Sequence, residues 1–148
     1  MKYKEITEDL FNIHDAQALA HCISADFALG KGIAVEFDKR FDMKVNLREI
    51  APDYVNEFHR DRIEGDCIFV NGILNLVTKE RYFHKPTYRS MEAALLVMRD
   101  ICEGLHIKRV AIPRIGCGLD GLNWDKVLAV IEGVFDNTDI EIVVCRKE

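Results

Sequence analysis

The chain has 148 residues, a length that suits one domain with a single sizeable core. Apolar residues make up 49% and charged residues 30% of it, and the net charge is −5. The acidic balance argues against nucleic-acid binding through a broad basic face, because such binding depends on neutralising phosphates. No apolar run approaches the ~18 residues of a membrane span, and the N-terminus lacks an apolar signal segment, so we expect no membrane association.

The cysteine pattern favours a reducing compartment. There are five cysteines, an odd number, and no C-x-x-C pair occurs. Both features argue against a disulfide framework or a zinc site. We therefore expect a cytoplasmic protein without a zinc site. We also expect the protein to act with no other metal and no cofactor.

In the first half of the chain, two strands and a helix are predicted. A short strand is expected near residues 3–6, and the apolar run ALAHCIS at 18–24 predicts a buried strand. A loop with two glycines follows, and a helix is predicted to begin near Ile33. Residues 45–60 are ambiguous, because Pro52 interrupts a helical pattern.

The middle of the chain predicts a hairpin and then a long helix. Two apolar runs flank Asn71-Gly72, a dipeptide typical of tight hairpin turns. Lys79 follows directly after the second predicted strand. Apolar residues then recur at helical spacing over 87–103, with Gly104 as the predicted stop.

The last third alternates strand, helix and strand. IKRVAIP at 107–113 and IEIVVC at 140–145 are predicted strands. The helix between them is indicated by apolar residues at helical spacing, namely Trp124, Val127, Leu128, Ile131, Val134 and Phe135. This alternation predicts an α/β layered domain with a partly parallel sheet.

A glycine-rich loop stands between the predicted strand at 107–113 and the last helix. Gly116, Gly118 and Gly121 form G-x-G-x-x-G, in the position where backbone N–H groups and a helix dipole can bind phosphate. A tight turn without a ligand is the alternative. Only 27 residues follow Gly121, too few for a dinucleotide fold that begins here. A phosphate site would therefore need a second loop, for which the earlier turn ISADFALGKGIA is the natural partner.

Four segments together resemble the macrodomains, a family that binds ADP-ribose. They are DLF at 9–11, LAHCISADFALGKGIAVEFDKRF at 19–41, LVTKERYFHKPTY at 76–88 and PRIGCGLDGLNW at 113–124. The resemblance is greatest to the terminal ADP-ribose protein glycohydrolase branch, which includes antitoxin macrodomains that strip ADP-ribose from DNA. It implies a single macrodomain over 1–148, with a three-layer α/β/α fold, a mixed central sheet and a ligand cleft across the strand ends.

The resemblance also assigns ligand contacts. It implies that Asp9 hydrogen-bonds the adenine amine and that Leu10 lies beside the ring. It assigns the distal ribose and the diphosphate to residues of the two glycine loops: Ser24, Leu29, Gly30, Gly32, Ile33 and Ala34 in the first, and Arg114, Ile115, Gly116, Cys117, Gly118 and Leu119 in the second.

In this branch, Lys79 and Asp120 correspond to the catalytic pair. An ester between ADP-ribose and a carboxylate has its reactive carbon at C1″ of the distal ribose, which a neutral amine can attack. A free lysine has a pKa near ~10.4, so burial or a partner must help to deprotonate an attacking lysine. The carboxylate can then act as general base for the second step.

Taken singly, these residue types have plainer interpretations. Lys79 would then be a solvated charge at a strand end, and Asp120 an acid that interacts with a helix dipole. Cys117 is more simply a small buried loop residue than a nucleophile, and His21 a core histidine. The four segments together favour the catalytic interpretation of Lys79 and Asp120.

The sequence therefore predicts a hydrolase that releases terminal ADP-ribose from acidic protein side chains or related esters. Its expected partners are ADP-ribose and ADP-ribosylated protein. Three alternatives stay open: an ADP-ribosyl-DNA glycohydrolase, an enzyme for ADP-ribose 1″-phosphate or O-acetyl-ADP-ribose, and a non-catalytic ADP-ribose-binding module. A pure binding module would not need both Lys79 and Asp120.

Overall fold

A mixed sheet of six strands forms the centre of residues 1–147, the part of the chain that the computed structural model describes. The strands are β1 (Lys2–Thr7), β2 (Ala18–Ser24), β3 (Asp66–Val70), β4 (Ile73–Lys79), β5 (Arg109–Ile112) and β6 (Glu141–Arg146). Their spatial order is β1-β6-β5-β2-β4-β3, and all neighbours are parallel except β3 and β4. The parallel strands therefore direct their carboxyl ends to one edge of the sheet.

Helices cover both faces of this sheet. They are α1 (Ile33–Phe41), α2 (Met43–Ile50), α3 (Tyr54–Arg60), α4 (Tyr88–Leu105) and α5 (Trp124–Phe135), with a short 3-10 helix at Leu10–Asn12. One apolar cluster packs β2, β4, β5 and β6 against α4 and α5, and a second packs the opposite face against α1, α2 and α3. These layers confirm the predicted three-layer α/β/α fold with a mixed sheet.

The strand β2 shows why its sequence is almost wholly apolar. Ala18 and Ala20 face the α4/α5 layer, whereas Ile23 faces the α1–α3 layer. A strand covered on both faces has no solvent side, so an apolar run replaces the usual alternation of polar and apolar residues.

None of the helices within residues 1–147 is long and apolar enough to cross a membrane.

Two local predictions are wrong in detail. The long helix does not stop at Gly104 but continues to Leu105, and it ends at His106, which takes the left-handed conformation with a φ of 57°. Lys79 is the last residue of β4 and not the first residue after it. The ambiguous stretch at 45–60 forms α2 and α3, and the break between them contains Pro52, which cannot continue a helix.

Candidate active site

A cleft of about 690 Å³ opens where β2 and β4 end. Its walls are the first glycine loop (residues 25–32), the second glycine loop (residues 113–123) and the loop that follows β4 (residues 80–87). Parallel α/β sheets bind ligands at the carboxyl ends of their strands, and ligand sites commonly measure ~300–1,000 Å³. The position and the size of the cleft both suit a nucleotide-sized ligand.

Most residues that the sequence assigned to the site do line this cleft. Lys79 and Asp120 line it together with nine of the predicted ligand residues: Ser24, Leu29, Gly30, Gly32, Ile33, Ala34, Gly116, Gly118 and Leu119. The predicted residues that do not line it are Asp9, Leu10, Arg114, Ile115 and Cys117.

Lys79 and Asp120 form a salt bridge inside the cleft. The Nζ of Lys79 donates to Oδ1 of Asp120 at 2.8 Å. The two side chains are only 15% and 19% exposed, so water screens this pair less than it screens a surface ion pair. The structure thus joins an amine and a carboxylate that lie 41 residues apart in sequence.

An irregularity at the end of β4 helps to orient Lys79. A regular register would pair Ser24 of β2 with Thr78, but Ser24 instead lies opposite Lys79, so Thr78 is an extra residue on β4. The N–H of Ala25 donates to the carbonyl of Lys79 at 2.9 Å, which holds the strand end against β2. Bulges of this kind redirect side chains and are common beside active sites.

The first glycine loop has a strained backbone next to a helix N-terminus. Phe27 and Leu29 have positive φ values of 53° and 43°, which non-glycine residues rarely adopt. Both side chains are buried in the α1–α3 cluster, and this packing holds the strained conformation. Gly32 and Ile33 line the cleft at the start of α1, so the positive end of that helix dipole lies at the cleft wall.

The second glycine loop is a compact turn that needs glycine at Gly116. This residue has a φ of 75°, and a Cβ atom there would lie 2.7 Å from Cε of Met91. The N–H of Leu122 donates to the Gly116 carbonyl at 2.8 Å and closes the turn. Asn123 then caps α5 by accepting from the N–H of Lys126 at 3.2 Å. The loop backbone is therefore held close to the cleft by the first turn of α5.

Arg114 and Ile115 support the loop from behind. The guanidinium of Arg114 makes two hydrogen bonds to the Glu5 carboxylate, Nη2 to Oε2 at 2.6 Å and Nε to Oε1 at 3.1 Å. It also lies over the Trp124 ring, 5.5 Å from its centroid. Ile115 is 3% exposed and belongs to the α4/α5 apolar cluster. Their predicted contacts with the diphosphate stay predictions.

Asp9 caps the 3-10 helix that follows β1, and Leu10 is the first residue of that helix. Oδ1 of Asp9 accepts from the N–H of Phe11 at 3.0 Å, and Oδ2 lies 3.4 Å from Nζ of Lys147. The hydrogen bond from Phe11 is the largest of the influences that lower the pKa of Asp9, so the carboxylate stays ionised at neutral pH. Leu10 is buried in the α1–α3 cluster. Their predicted adenine contacts also stay predictions.

Lys31 lies in the predicted turn at 29–34 and also lines the cleft. The sequence missed several other residues that line it: Cys22, Ile23, Ala28, Tyr82, Phe83 and Lys85. The last three belong to RYFHKPTY, part of the segment that resembles macrodomains, but nothing in that segment indicated which side chains face the cleft. Lys85 Nζ donates to the Leu119 carbonyl at 2.6 Å and so joins this loop to the second glycine loop.

The two cysteines nearest the cleft lack the properties of nucleophiles. Burial raises the pKa of the Cys22 thiol far above its usual value, and burial also raises that of Cys117. Both thiols are therefore protonated at neutral pH, and the thiolate is the reactive form. Within residues 1–147, no three His, Cys, Asp or Glu side chains come together in a group that could hold a metal ion.

Comparison with known proteins identifies the family. No family model matches the chain. The fold resembles the macrodomain of Mycobacterium tuberculosis DarG, with a TM-score of 0.79 and 24% identity over 99% of this chain and 98% of that one. In sequence, the chain is 40% identical over 136 residues to the human ADP-ribose glycohydrolase OARD1, covering 92% of this chain and 86% of that protein. The chain belongs to the macrodomain family.

Two further relatives extend the comparison. This macrodomain is 25% identical over 140 residues to the DNA ADP-ribosyl glycohydrolase of Mycobacterium tuberculosis, spanning 88% of this chain but 38% of that protein. It also resembles Thermosipho africanus DarTG, solved in complex with ADP-ribose, with a TM-score of 0.77 and 19% identity over 98% of this chain and 41% of that one. The resemblance inferred from the four sequence segments is thus confirmed.

Proposed function

We propose that this macrodomain is an ADP-ribose glycohydrolase that releases terminal ADP-ribose from acyl acceptors such as acidic protein side chains. The observation that carries the proposal is the contact between Lys79 Nζ and Asp120 Oδ1 inside the cleft. The 40% identity to human ADP-ribose glycohydrolase OARD1 supports it. The cytosol is the proposed setting, because five free cysteines suit a reducing compartment.

In this proposal, ADP-ribose lies between the two glycine loops. The start of α1 offers a positive dipole end to the diphosphate, and glycines at 116 and 118 let the backbone of the opposite loop approach it. The distal ribose then reaches the end of β4, where Lys79 and Asp120 meet. This arrangement needs no broad basic surface, in agreement with the net charge of −5.

The proposed reaction has two steps. The 2.8 Å contact gives the lysine proton a path to the carboxylate, which leaves a neutral amine. Lys79 Nζ then bonds to C1″ as the bond from C1″ to the acyl oxygen breaks, and the acceptor leaves as a carboxylate. The carboxylic acid of Asp120 then gives its proton to solvent. The resulting carboxylate takes a proton from water, whose oxygen attacks C1″ while the C1″–N bond breaks and its electron pair returns to Nζ; Asp120 passes the new proton to the amine, which restores the ion pair. ADP-ribose and the free lysine are the products.

Release of ADP-ribose tests the proposal directly. The protein is incubated in parallel with a glutamate-linked mono-ADP-ribosylated protein and with ADP-ribosylated DNA, and free ADP-ribose is measured over time. We expect release from the protein ester. Release only from DNA would favour a DNA ADP-ribosyl glycohydrolase, the activity of the Mycobacterium tuberculosis relative by its name. Binding of ADP-ribose without release from either substrate would indicate a binding module.

Two variants separate the proposed roles of the pair. Lys79→Ala removes the nucleophile, so we expect it to bind ADP-ribose, to release none from the ester and to stay unmodified. Asp120→Ala removes the acceptor of the lysine proton in the first step and the base of the second step, so we expect a covalent ADP-ribose adduct on Lys79 to form more slowly and then to persist. Intact-protein mass spectrometry distinguishes these outcomes, and Lys39→Ala, an exposed lysine of α1, should behave as wild type. Ester cleavage by Lys79→Ala at the wild-type rate would contradict the lysine mechanism.

A further inference from the structure

The carboxylate of Asp26 joins two walls of the cleft. Oδ1 accepts from the hydroxyl of Ser24, the last residue of β2, at 2.5 Å, and from the N–H of Ala28, in the first glycine loop, at 3.3 Å. Oδ2 accepts from the N–H of Tyr82 at 3.0 Å, in the loop that follows β4. One side chain therefore holds the first glycine loop and the loop at 80–87 at a set distance.

The loop at 80–87 is exposed at its tip, while Pro86 is buried near one end and Glu80 contacts His59 Nδ1 at 2.8 Å at the other. Tyr82 and Phe83 are 59% and 66% exposed, and their rings pack edge-to-face on each other, with centroids 5.3 Å apart. Farther along the loop, Lys85 reaches the Leu119 carbonyl at 2.6 Å, but its long side chain is flexible. The short, two-oxygen side chain of Asp26 is the more rigid of these two polar connections.

This loop begins directly after Lys79, so its placement affects the end of β4. If the Tyr82 N–H loses its acceptor, the backbone from Lys79 onward gains freedom, and the amine spends less time in the reactive position. Proximity effects in catalysis depend on such small displacements. Asp26 also orients the Ser24 hydroxyl. This hydroxyl donates its proton to Asp26, so the lone pairs of its oxygen stay available to accept from a ligand.

We infer that Asp26 is a positioning residue, which holds the loop at 80–87 and thereby keeps Lys79 aligned for reaction. The effect on kcat for ester cleavage rests on the proposed glycohydrolase function. The structural part of the inference, the connection from Asp26 to the Tyr82 N–H, stands independently and has its own measurement.

Asp26→Asn isolates the connection to the loop. The amide oxygen of asparagine still accepts from Ser24 and Ala28, but its NH₂ group cannot accept from the Tyr82 N–H. We expect the Tyr82 amide to exchange with solvent about 10-fold faster, the size of one lost hydrogen bond to a charged group. We expect kcat for ester cleavage to fall by a similar factor, while the Kd for ADP-ribose and the Tm stay near wild-type values.

Asp38→Ala is the matched control. Asp38 is also half-buried, and its carboxylate also accepts from a backbone N–H, that of Lys44 at 2.9 Å, but it joins α1 to α2 and does not line the cleft. We expect this variant to leave both Tyr82 exchange and kcat unchanged.

The measurements separate the failure of this inference from failure of the proposed function. Wild-type exchange at Tyr82 or wild-type kcat in Asp26→Asn would overturn the positioning role. A wild-type protein that cleaves no ester would overturn the proposed function, and faster Tyr82 exchange in Asp26→Asn would still support the anchoring of the loop by Asp26.

Discussion

At the adenine end of the proposed site, the two oxygens of Asp9 have separate roles. Oδ1 caps the 3-10 helix by accepting from Phe11, whereas Oδ2 lies 3.4 Å from Nζ of the exposed Lys147. A carboxylate can serve a helix and a ligand amine together, because each oxygen accepts independently. This arrangement explains how one short side chain could meet both demands.

Asp9→Asn separates these two roles. Asparagine is as good a helix N-cap as aspartate, but with its oxygen at the Phe11 N–H, the NH₂ group that replaces Oδ2 can only donate and cannot accept from an adenine amine. We expect the Tm to stay near that of wild type and the affinity for ADP-ribose to fall about 10-fold, the usual effect of losing one such hydrogen bond. Isothermal calorimetry with ADP-ribose measures this, and unchanged affinity would contradict the adenine contact assigned to Asp9.

Among the elements, the chain before β3 passes close to the backbone of the helix α4. Gly65 precedes β3, and a Cβ atom at this position would lie 2.2 Å from the Ser90 carbonyl oxygen and 2.7 Å from the Ala94 nitrogen. Both neighbours are backbone atoms of α4, which cannot move without displacing the helix. The absence of a side chain at Gly65 thus lets the β3–β4 hairpin pack directly on α4.

Gly65→Ala should therefore destabilise the protein strongly. We expect the free energy of unfolding to fall by about 3 kcal/mol or more, at or above the upper end of the effects of overpacking. Gly133→Ala is the matched control, because Gly133 is exposed on α5 and has open space around it; it should raise stability by about 0.5–1 kcal/mol through helix propensity. Urea unfolding measures both, and equal stability of the two variants would contradict the close packing.

For the molecule as a whole, we expect a buried histidine in the central sheet to make stability depend on pH. His21 is fully buried in β2, stacks on Phe37 with ring centroids 3.9 Å apart, and contacts Oδ1 of Asn75 through Nε2 at 2.6 Å. Asn75 Nδ2 donates to the Ile68 carbonyl at 3.0 Å, so Oδ1 is the acceptor and Nε2 the donor. The other ring nitrogen, Nδ1, has no hydrogen-bond partner among residues 1–147. A proton added to Nδ1 would therefore be buried without an acceptor.

Acidification should therefore weaken folding between pH 6.5 and 4. Burial lowers the pKa of His21 from 6.5 to about 4, so over this range the unfolded chain takes up a proton that the folded protein excludes. The free energy of unfolding then falls as the pH falls, by up to about 3 kcal/mol. Urea unfolding at several pH values measures the slope.

Two variants control for the other titrating groups. His21→Gln can still donate to Asn75 but does not titrate, so its stability should depend less on pH over this range. His14→Gln, which changes an exposed histidine, should keep the wild-type slope. A slope unchanged in His21→Gln would contradict this origin of the acid sensitivity.

The sequence by itself determined the family and most of the elements, although α2 and α3 fall in the stretch at 45–60 that it left ambiguous. The apolar run at β2, the hairpin turn at Asn71-Gly72 and the helical spacing over α4 and α5 all depend on local preferences, which short stretches of chain carry on their own. The four family-like segments also predicted the two glycine loops and the pair Lys79 and Asp120, because each motif retains its residues in order along the chain.

Only the tertiary structure decided which side chains meet. Lys79 and Asp120 come together because β2 lies between β4 and β5, an order of strands that no local pattern encodes. Arg114 turns to Glu5 on β1, although its position in the loop motif predicted a ligand contact. Asp26 connects to Tyr82, 56 residues away, through a backbone N–H that any residue except proline would offer there. Contacts between distant segments depend on how the sheet is ordered and packed, and a pattern of adjacent residues carries no information about that order.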